Sequence, residues 1–312
     1  YAYSRAFGRE RADEAVFDLD RRHAALGAVV FSCWKSHHRR KLAELVRQGQ
    51  AIRFGELLSR RWVEAALVAT AYLYVDGHMK VYSGKRKLAE AWNAQRRMPL
   101  PGFLTYFASD QQGRPLLFVT EEANASLAKA MPAVIAAIRE VVGDRGFTVI
   151  FDRGGYDGKL FSWLRSEGID FITYQRGSPD LAVDGFARRE CRFEGQRVRM
   201  KIAEDEVKVG RSGPWRRIVV RTTNGHQTPI LTSLGGEVGS AKIACLMFAR
   251  WRQENFFRYM REHHGLDQLL GYAYADADGA RLVPNPERKK IERQLGERRQ
   301  ERAALRAELG QA

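Results

Sequence analysis

Residues 147–155 are Phe-Thr-Val-Ile-Phe-Asp-Arg-Gly-Gly, an apolar run that ends in an acid and two glycines. The segment from 148 to 151 is short, apolar and bounded by turn residues, which predicts a buried strand. A helical pattern over 159–166 and a second apolar run over 170–174 follow it. A strand, a helix and a strand in this order are typical of an α/β domain, in which helices cover a sheet.

Apolar segments that predict strands and a helix also precede this unit. Residues 68–76, Val-Ala-Thr-Ala-Tyr-Leu-Tyr-Val-Asp, predict a strand, and residues 79–82 predict a further β segment. Candidate strands at 103–108 and 115–120 flank Ser-Asp-Gln-Gln-Gly and predict a hairpin. Apolar residues at helical spacing predict a helix over 125–142. The predicted fold class is therefore α/β, with a mixed sheet flanked by helices.

Residues 180–235 differ from the preceding pattern of strands and helices, because they contain only a series of short β segments. The candidate strands are 197–203, 206–209, 216–222 and 228–233. Asn224-Gly225 is a favoured two-residue hairpin turn. Gly239 and Ser240 then cap a long helix predicted from Ala241 to about His264. The β block is an all-β insertion before this last helix, unless it is a separate domain.

These changes of pattern predict four segments. They are a mainly helical N-terminal region at 1–65, an α/β domain at 66–178 and 238–275, a β-rich insertion at 179–237, and a basic helical tail at 276–312. Because the sequence does not begin with Met, we expect the N-terminal region to be truncated.

The charge balance narrows the class of partner. Fifty-two Lys and Arg against 37 Asp and Glu give a formal net charge of +15. On a folded chain this favours a polyanion, nucleic acid first and an anionic membrane surface second. The longest apolar run, 65–75, is well short of the ~20 residues that a spanning helix needs. Three widely spaced cysteines form no CxxC metal motif, and a reducing cytoplasmic setting fits them.

Three acids and an arginine stripe are the candidate functional residues. Asp76 and Asp152 stand at or near the ends of apolar strands, where a carboxylate lines a cleft or simply begins a turn. On the last helix, Arg250, Glu254 and Arg261 lie along one stripe with Met247 and Phe257. An ordinary Arg250–Glu254 ion pair within the helix explains that stripe equally well.

The three acids together have a specific chemical use. Two Mg²⁺ ions about 3.5 to 4 Å apart need hard oxygen ligands from different elements, and leave positions open for water and a scissile phosphate. Arginines beside such acids hold phosphates without competing as ligands.

The order Asp76, Asp152, Glu254, with a β-rich insertion between the last two, resembles the ribonuclease-H-like DDE transposases of bacterial insertion sequences. These enzymes carry a helix signature of Tyr, two residues, Arg, three residues, Glu, six residues and Lys. At those spacings the chain has Met247, Arg250, Glu254 and Arg261. Two positions match by identity, Arg261 matches conservatively, and Met247 replaces the tyrosine.

The resemblance implies a ribonuclease-H-like fold and an endonuclease that also joins DNA. Asp76, Asp152 and Glu254 would bind two Mg²⁺ ions, with Mn²⁺ as a substitute. The reaction would cut transposon ends and then attack target DNA with the freed 3′-hydroxyl. The implied partners are double-stranded DNA, at terminal inverted repeats and target, and a second copy of the chain in a synaptic complex. The implied setting is the bacterial cytoplasm, at the nucleoid and not at a membrane.

Seven residues are predicted to contact DNA. By the resemblance, Arg250 and Arg261 would hold the backbone near the cut. The basic segments at 84–87 and 96–97 either track phosphates or are solvated, and their residues are Lys85, Arg86, Arg96 and Arg97. Trp215 either stacks on a flipped base, as insertion-domain aromatics of such enzymes are thought to do, or is a buried hairpin tryptophan.

Two other functions stay open. One is a ribonuclease-H-like nuclease that hydrolyses DNA or RNA without joining it. The other is a catalytically inactive transposase remnant that only binds DNA. A binder of anionic membranes or acidic proteins rests on the net charge alone.

Overall fold

The computed structural model describes residues 44–45, 47–84, 88–93, 97–123, 125–177, 183–264, 266–267 and 286–309. Its main helices are α1 (Ala51–Glu64), α2 (Leu127–Val142), α3 (Gly158–Ser166), α4 (Ser240–Phe248), α5 (Trp251–His264) and α6 (Pro286–Leu309). Its strands are β1 (Tyr72–Val81), β2 (Glu90–Asn93), β3 (Met98–Ser109), β4 (Pro115–Glu122), β5 (Thr148–Phe151), β6 (Asp170–Tyr174), β7 (Ala187–Phe193), β8 (Gln196–Val209), β9 (Ser212–Arg221) and β10 (Gln227–Thr232). None of the helices in these ranges is long and apolar enough to cross a membrane.

The described strands form one mixed sheet in the order β2-β3-β1-β5-β6-β10-β9-β8-β7, with β4 beside β3. Strands β1, β5 and β6 are parallel, whereas every pairing from β6 through β10 to β7 is antiparallel. Helices pack on the sheet, so the predicted α/β class with a mixed sheet and flanking helices is confirmed.

The central strands are buried on both faces because their residues alternate between two apolar layers. On one face, the rings of Phe151 and Phe171 pack against Phe161 of α3, and the Phe161 and Phe171 ring centroids are 4.5 Å apart. On the other face, Ile150 and Ile172 belong to a buried cluster that includes most of α4. This two-sided burial explains why β5 and β6 are continuous apolar runs.

Several predicted elements are confirmed, and others change extent. The strands at 148–151 and 170–174 are β5 and β6, the hairpin is β3 with β4, and the helix is α2. The tail helix is present as α6. The segments at 68–76 and 79–82 are one strand, β1, and those at 197–203 and 206–209 are also one strand, β8. Strands β2 and β7 were not predicted.

The β-rich block predicted at 179–237 continues the central sheet. Its last strand, β10, pairs with β6, with Leu231 opposite Thr173. Its buried residues Ile202, Ile218 and Ile230 share one cluster with Ile172 and α4. The block is therefore joined to the α/β sheet by both hydrogen bonds and a common core.

The described residues form two compact units. The larger contains the described chain up to His78 with Thr105–Thr120 and Ser126–Leu266, and the smaller contains Met79–Leu104, Glu121–Ala125 and the described residues from Asp267 onward. The first segment predicted at 1–65 lies mostly outside the described residues.

The prediction of one helix from Ala241 to about His264 was wrong. Two helices, α4 and α5, are separated at Ala249 and Arg250. The backbone hydrogen bonds change there from four-residue to three-residue spacing: the Arg250 N–H donates to the Met247 carbonyl, and the Arg252 N–H donates to the Ala249 carbonyl. This tighter turn lies between α4, in which every residue except Lys242 is buried, and the half-exposed α5.

Candidate functional site

The pairing of β1 with β5 brings Asp76 and Asp152 together. In this parallel pair the last partners are Val75 and Phe151, so the residue that follows each of them, Asp76 within β1 and Asp152 just after β5, is an aspartate at the same level. Adjacent strands lie about 4.8 Å apart. Because side chains alternate, both aspartates lie on the face of Tyr74 and Ile150, which is the face that α4 covers.

Local hydrogen bonds hold each aspartate where its strand leaves the pairing. Asp76 Oδ1 accepts the Gly77 N–H at 2.9 Å, and Asp152 Oδ1 accepts the Gly154 N–H at 2.9 Å. The Thr173 hydroxyl donates to the Asp152 carbonyl at 3.2 Å. The Gly154-Gly155 turn thus positions the second acid.

Arg250 connects the first acid to the third. From the break between α4 and α5, its Nη1 donates to Asp76 Oδ2 at 3.0 Å and its Nη2 donates to Glu254 Oε1 at 2.6 Å. The Arg250 and Asp76 side chains are 15% and 16% exposed, whereas Glu254 is 58% exposed. Among the described residues, the buried Arg250 Nε has no hydrogen-bond partner. The guanidinium therefore lies between two of the three predicted catalytic acids.

The electrostatics show that these charges act on one another. Burial raises the pKa of Asp76 to about 7, and the charges of Asp152 and Glu254 add to the rise, whereas Arg250 and the Gly77 N–H oppose it. Burial alone would lower the pKa of Arg250, but the three acids hold it above its ordinary value. The site is thus rich in negative charge, which one guanidinium only partly offsets.

Tyr174 joins this group, and sequence analysis missed it. Thr173 is the partner of Phe151 across β5 and β6, so Tyr174 follows at the level of Asp152. Burial raises the pKa of the Tyr174 phenol, which also interacts with the charges of Arg250 and Glu254. The register of two neighbouring parallel strands was the signal that could have identified it.

Gln253, beside Glu254, fixes the start of α5 against the sheet. Its Nε2 donates to the Tyr74 carbonyl at 3.0 Å and to the Phe107 carbonyl at 3.1 Å, on β1 and β3. The residue is 1% exposed. Sequence analysis missed it because one glutamine between charged residues gives no periodic signal.

The predicted DNA-contacting residues differ in their exposure and in their contacts. Arg250 is bound to acids, and Arg261 is partly exposed on α5. Arg97 is exposed with a φ of 51°, and Lys85, Arg86 and Arg96 lie outside the described residues.

Trp215 has the environment of a core residue. It is 1% exposed, its Nε1 donates to the Ser212 hydroxyl at 3.2 Å, and the Arg165 guanidinium lies 3.8 Å from its ring centroid. Its ring also packs on Phe161 and Phe171. No face of the indole is free for a base in this arrangement, which matches the buried-tryptophan alternative.

The chemistry of the three acids fits Mg²⁺, which prefers carboxylate oxygens. A pair of neighbouring carboxylates, one with a raised pKa, is a place where a divalent cation is electrostatically favoured. In the described part of the chain, no three His, Cys, Asp or Glu side chains are arranged to hold a metal ion. The Arg250 guanidinium, and not a space for a metal ion, lies between Asp76 and Glu254.

Comparisons with known proteins give a family and a distant structural likeness. A family model described as "Transposase protein" matches residues 32–310. A cryo-EM structure of a piggyBac transposase synaptic complex with hairpin DNA matches with a TM-score of 0.40 and 10% sequence identity, over 61% of this chain and 40% of that one. The chain therefore spans about two fifths of the length of that transposase. No curated protein matches the sequence.

Proposed function

Because the chain belongs to the family of transposase proteins, we propose that it is a DDE transposase. In this proposal it cuts double-stranded DNA at the inverted repeats of a bacterial insertion sequence and joins the freed 3′-hydroxyl to target DNA. Its catalytic domain is of the ribonuclease-H-like type, and it works at the nucleoid as a homodimer in a synaptic complex.

The observation that carries the proposal is the convergence of three acids that are distant in sequence. Asp76 and Asp152 follow the last paired residues of β1 and β5, and Glu254 reaches Asp76 through Arg250. Asp152 and Glu254 both act on the ionisation of Asp76. Acids gathered from two strands and a helix suit phosphoryl transfer, which requires ligands from several elements around one phosphate.

In the proposed mechanism Asp76, Asp152 and Glu254 bind two Mg²⁺ ions, for which Mn²⁺ substitutes. When bound, these ions would polarise the scissile phosphate and favour ionisation of the attacking hydroxyl. The chain's own residues orient the groups: Gly77 and Gly154 fix the two aspartates, and Gln253 fixes the backbone beside Glu254.

Arg250 is proposed to serve both the acids and the DNA. Its guanidinium forms ion pairs with Asp76 and Glu254 in the described arrangement, so it lies beside the acids that a phosphate would approach. A bidentate guanidinium suits a phosphate as well as a carboxylate. Further contacts to the DNA backbone are proposed for Arg261, Lys85, Arg86, Arg96 and Arg97.

Substitution of the acids tests the proposal directly. Asp76→Asn, Asp152→Asn and Glu254→Gln should each reduce Mg²⁺- or Mn²⁺-dependent cleavage of a plasmid carrying the element's ends by at least about 100-fold, since each removes a charge that stabilises the reacting phosphate. Asp144→Asn, which changes an exposed acid between α2 and β5, is the matched control. Cleavage near the wild-type rate in any of the three variants would exclude this triad.

A pre-cut transposon end separates transposition from the other two functions. A transposase should join such an end to a target plasmid in the presence of Mg²⁺, and the joined product is read on a gel. Cleavage without joining would indicate a nuclease, and binding without either reaction would indicate an inactive remnant.

A further inference from the structure

One face of the outer sheet consists almost entirely of basic side chains. In β7 and β8, Phe193, Val198 and Ile202 are buried in the cluster with α4. Because side chains alternate along a strand, the residues between them lie on the opposite face. This face, called the basic sheet face below, consists of Arg188, Glu190, Arg192, Arg197, Arg199, Lys201 and, on β9, Arg221.

The strand register places like charges directly opposite one another. Arg188 pairs with Lys201 and Lys201 pairs with Arg221, so three cations form a row across three strands. Arg192 and Arg197 form a second pair. Like charges at such positions destabilise a sheet. Repulsion between these cations therefore lowers the stability of the free protein, and a bound anion would reduce that repulsion.

Few acids offset this charge. Glu190, the single acid of the basic sheet face, accepts hydrogen bonds from Arg197 Nε at 3.0 Å and Arg199 Nε at 3.1 Å. Within the described ranges the ion pairs of this face join Glu190 to Arg197 and Arg199, and no acid forms one with Arg188, Arg192 or Lys201. The surplus of positive charge therefore lies at Arg188, Arg192 and Lys201.

Deeper in the same strands, bases and acids are matched. Arg216 Nη2 lies 2.7 Å from Glu204 Oε2, and Arg217 Nε donates to Asp205 Oδ1 at 2.7 Å. The unmatched positive charge therefore lies where β8 pairs with β7, and not along the whole length of β8 and β9.

We propose that the basic sheet face binds the sugar-phosphate backbone of double-stranded DNA, an inference that rests on the proposed function. Five of its six cations are arginines, whose planar guanidinium suits phosphate oxygens. Alternate residues along a strand are about 6.7 Å apart and neighbouring strands about 4.8 Å apart, so the cations span a patch that a few successive phosphates would cover. Charge complementarity without base-reading groups implies binding that is independent of DNA sequence.

The basic sheet face holds DNA away from the cut. The acids lie on the face of the sheet that α4 covers, whereas the basic sheet face is the opposite one. Strands β9 to β7 are also three to five strands from β5 in the sheet order, or roughly 15–25 Å. The surface therefore contributes affinity for flanking or target DNA and takes no part in the chemistry.

Lys201→Glu is the sharpest test, because it separates binding from folding. The new acid would lie between Arg188 and Arg221, so the melting temperature should stay at or above that of the wild type. Affinity for a random-sequence 40-base-pair duplex, measured by fluorescence anisotropy in EDTA, should fall about tenfold or more. A stable variant with wild-type affinity would overturn the proposal.

A neutralised row tests the electrostatic origin. The triple variant Arg188→Gln, Lys201→Gln, Arg221→Gln should reduce the slope of log K against log salt by up to about 3, one for each lost phosphate contact. The matched control, Arg53→Gln, Lys129→Gln, Arg145→Gln, removes the same charge from α1, α2 and the loop after α2. Equal slopes for the two variants would contradict a specific DNA surface.

Two further outcomes are informative. If the triple variant loses affinity for polyglutamate but not for DNA, the partner is an acidic protein and the proposal fails. Because the assay contains no divalent metal and measures binding alone, its result stands apart from cleavage by the acid variants. Loss of cleavage chemistry and loss of this DNA surface are thus distinguishable.

Discussion

The parallel and antiparallel parts of the sheet use their faces differently. Strands β5 and β6 are apolar on both faces, with α3 aromatics on one side and the α4 cluster on the other. In β7 and β8 one face joins the α4 cluster, while residues 188, 190 and 192 of β7 and residues 197, 199 and 201 of β8 are exposed on the other face. Strands β5 and β6 thus have no exposed face, and the acid Asp152 lies immediately after β5 instead of within it.

The difference explains where the charged residues can lie. Asp76 and Asp152 follow the last residues of β1 and β5 that pair with each other; Asp76 lies within β1, which continues to Val81, and Asp152 follows the end of β5. The outer antiparallel strands can place charges at successive positions of one face where solvent covers that face, as in residues 188–192 and 197–201. A confined acid cluster and an extended basic surface thus arise from one sheet.

The largest expected effect on stability is in the parallel part. Phe171→Ala should lower the free energy of unfolding by about 3–5 kcal/mol, because it leaves a cavity between Phe161, Phe151 and Trp215. Phe118→Ala, at a residue that is 61% exposed, is the control and should cost far less. Denaturant unfolding measures both, and equal losses would show that β6 is not the packed centre.

The acid cluster should make stability depend on pH. The folded-state pKa of Asp76 is about 7, above its ordinary value of 3.8, so the folded protein retains a proton that the unfolded chain releases. Stability should therefore fall as pH rises from about 4 to 7, by up to about 4 kcal/mol from this group.

Asp76→Asn removes that dependence while keeping an oxygen that accepts from Arg250. The variant should gain melting temperature relative to the wild type at pH 8 but much less at pH 5, in metal-free buffer. The same difference at both pH values would contradict a raised Asp76 pKa.

The contacts of Gln253 should have an intermediate effect. Gln253→Met keeps the side-chain length but leaves the Tyr74 and Phe107 carbonyls without this donor, at a cost of about 1–3 kcal/mol. Gln196→Met, at an exposed residue of β8, is the control. Thermal unfolding distinguishes them, and a neutral Gln253→Met would show that α5 does not depend on this contact.

The smallest effect on stability is expected on the basic sheet face. Glu190 is exposed and bound only to Arg197 and Arg199, so Glu190→Gln should leave the melting temperature unchanged. Affinity for duplex DNA in EDTA should rise, because the single acid of that face is removed. Weaker DNA binding by this variant would contradict the proposed surface.

The sequence predicted the parts of the fold whose pattern is local. Strands β5 and β6 were placed at their observed ends because each is a short apolar run between turn residues. Strand β7 was missed because only two apolar residues of Ala-Arg-Arg-Glu-Cys-Arg-Phe, Cys191 and Phe193, are buried or half-buried, and the strand is defined by its pairing with β8. The break before α5 was missed because apolar residues recur at helical spacing in both helices. The change of backbone hydrogen-bond spacing between them does not alter that pattern.

The three acids were predicted as a set, but their surroundings were not. The contact of Arg250 with Asp76 joins residues 174 positions apart, which no local pattern describes. The burial that raises the pKa of Asp76 likewise depends on how α4 and α5 pack on the sheet. The roles of these acids and of the DNA-contacting residues stay predictions until the variants are measured.

The long separation between Asp76 and Arg250 also has a consequence for biosynthesis. Strand β1 acquires its parallel partner only after β5 has been made, and Glu254 is added roughly a hundred residues later. Non-local pairings of this kind close slowly, and a domain folds as its last elements leave the ribosome. A nascent chain therefore has no complete acid cluster until α5 has emerged from the ribosome.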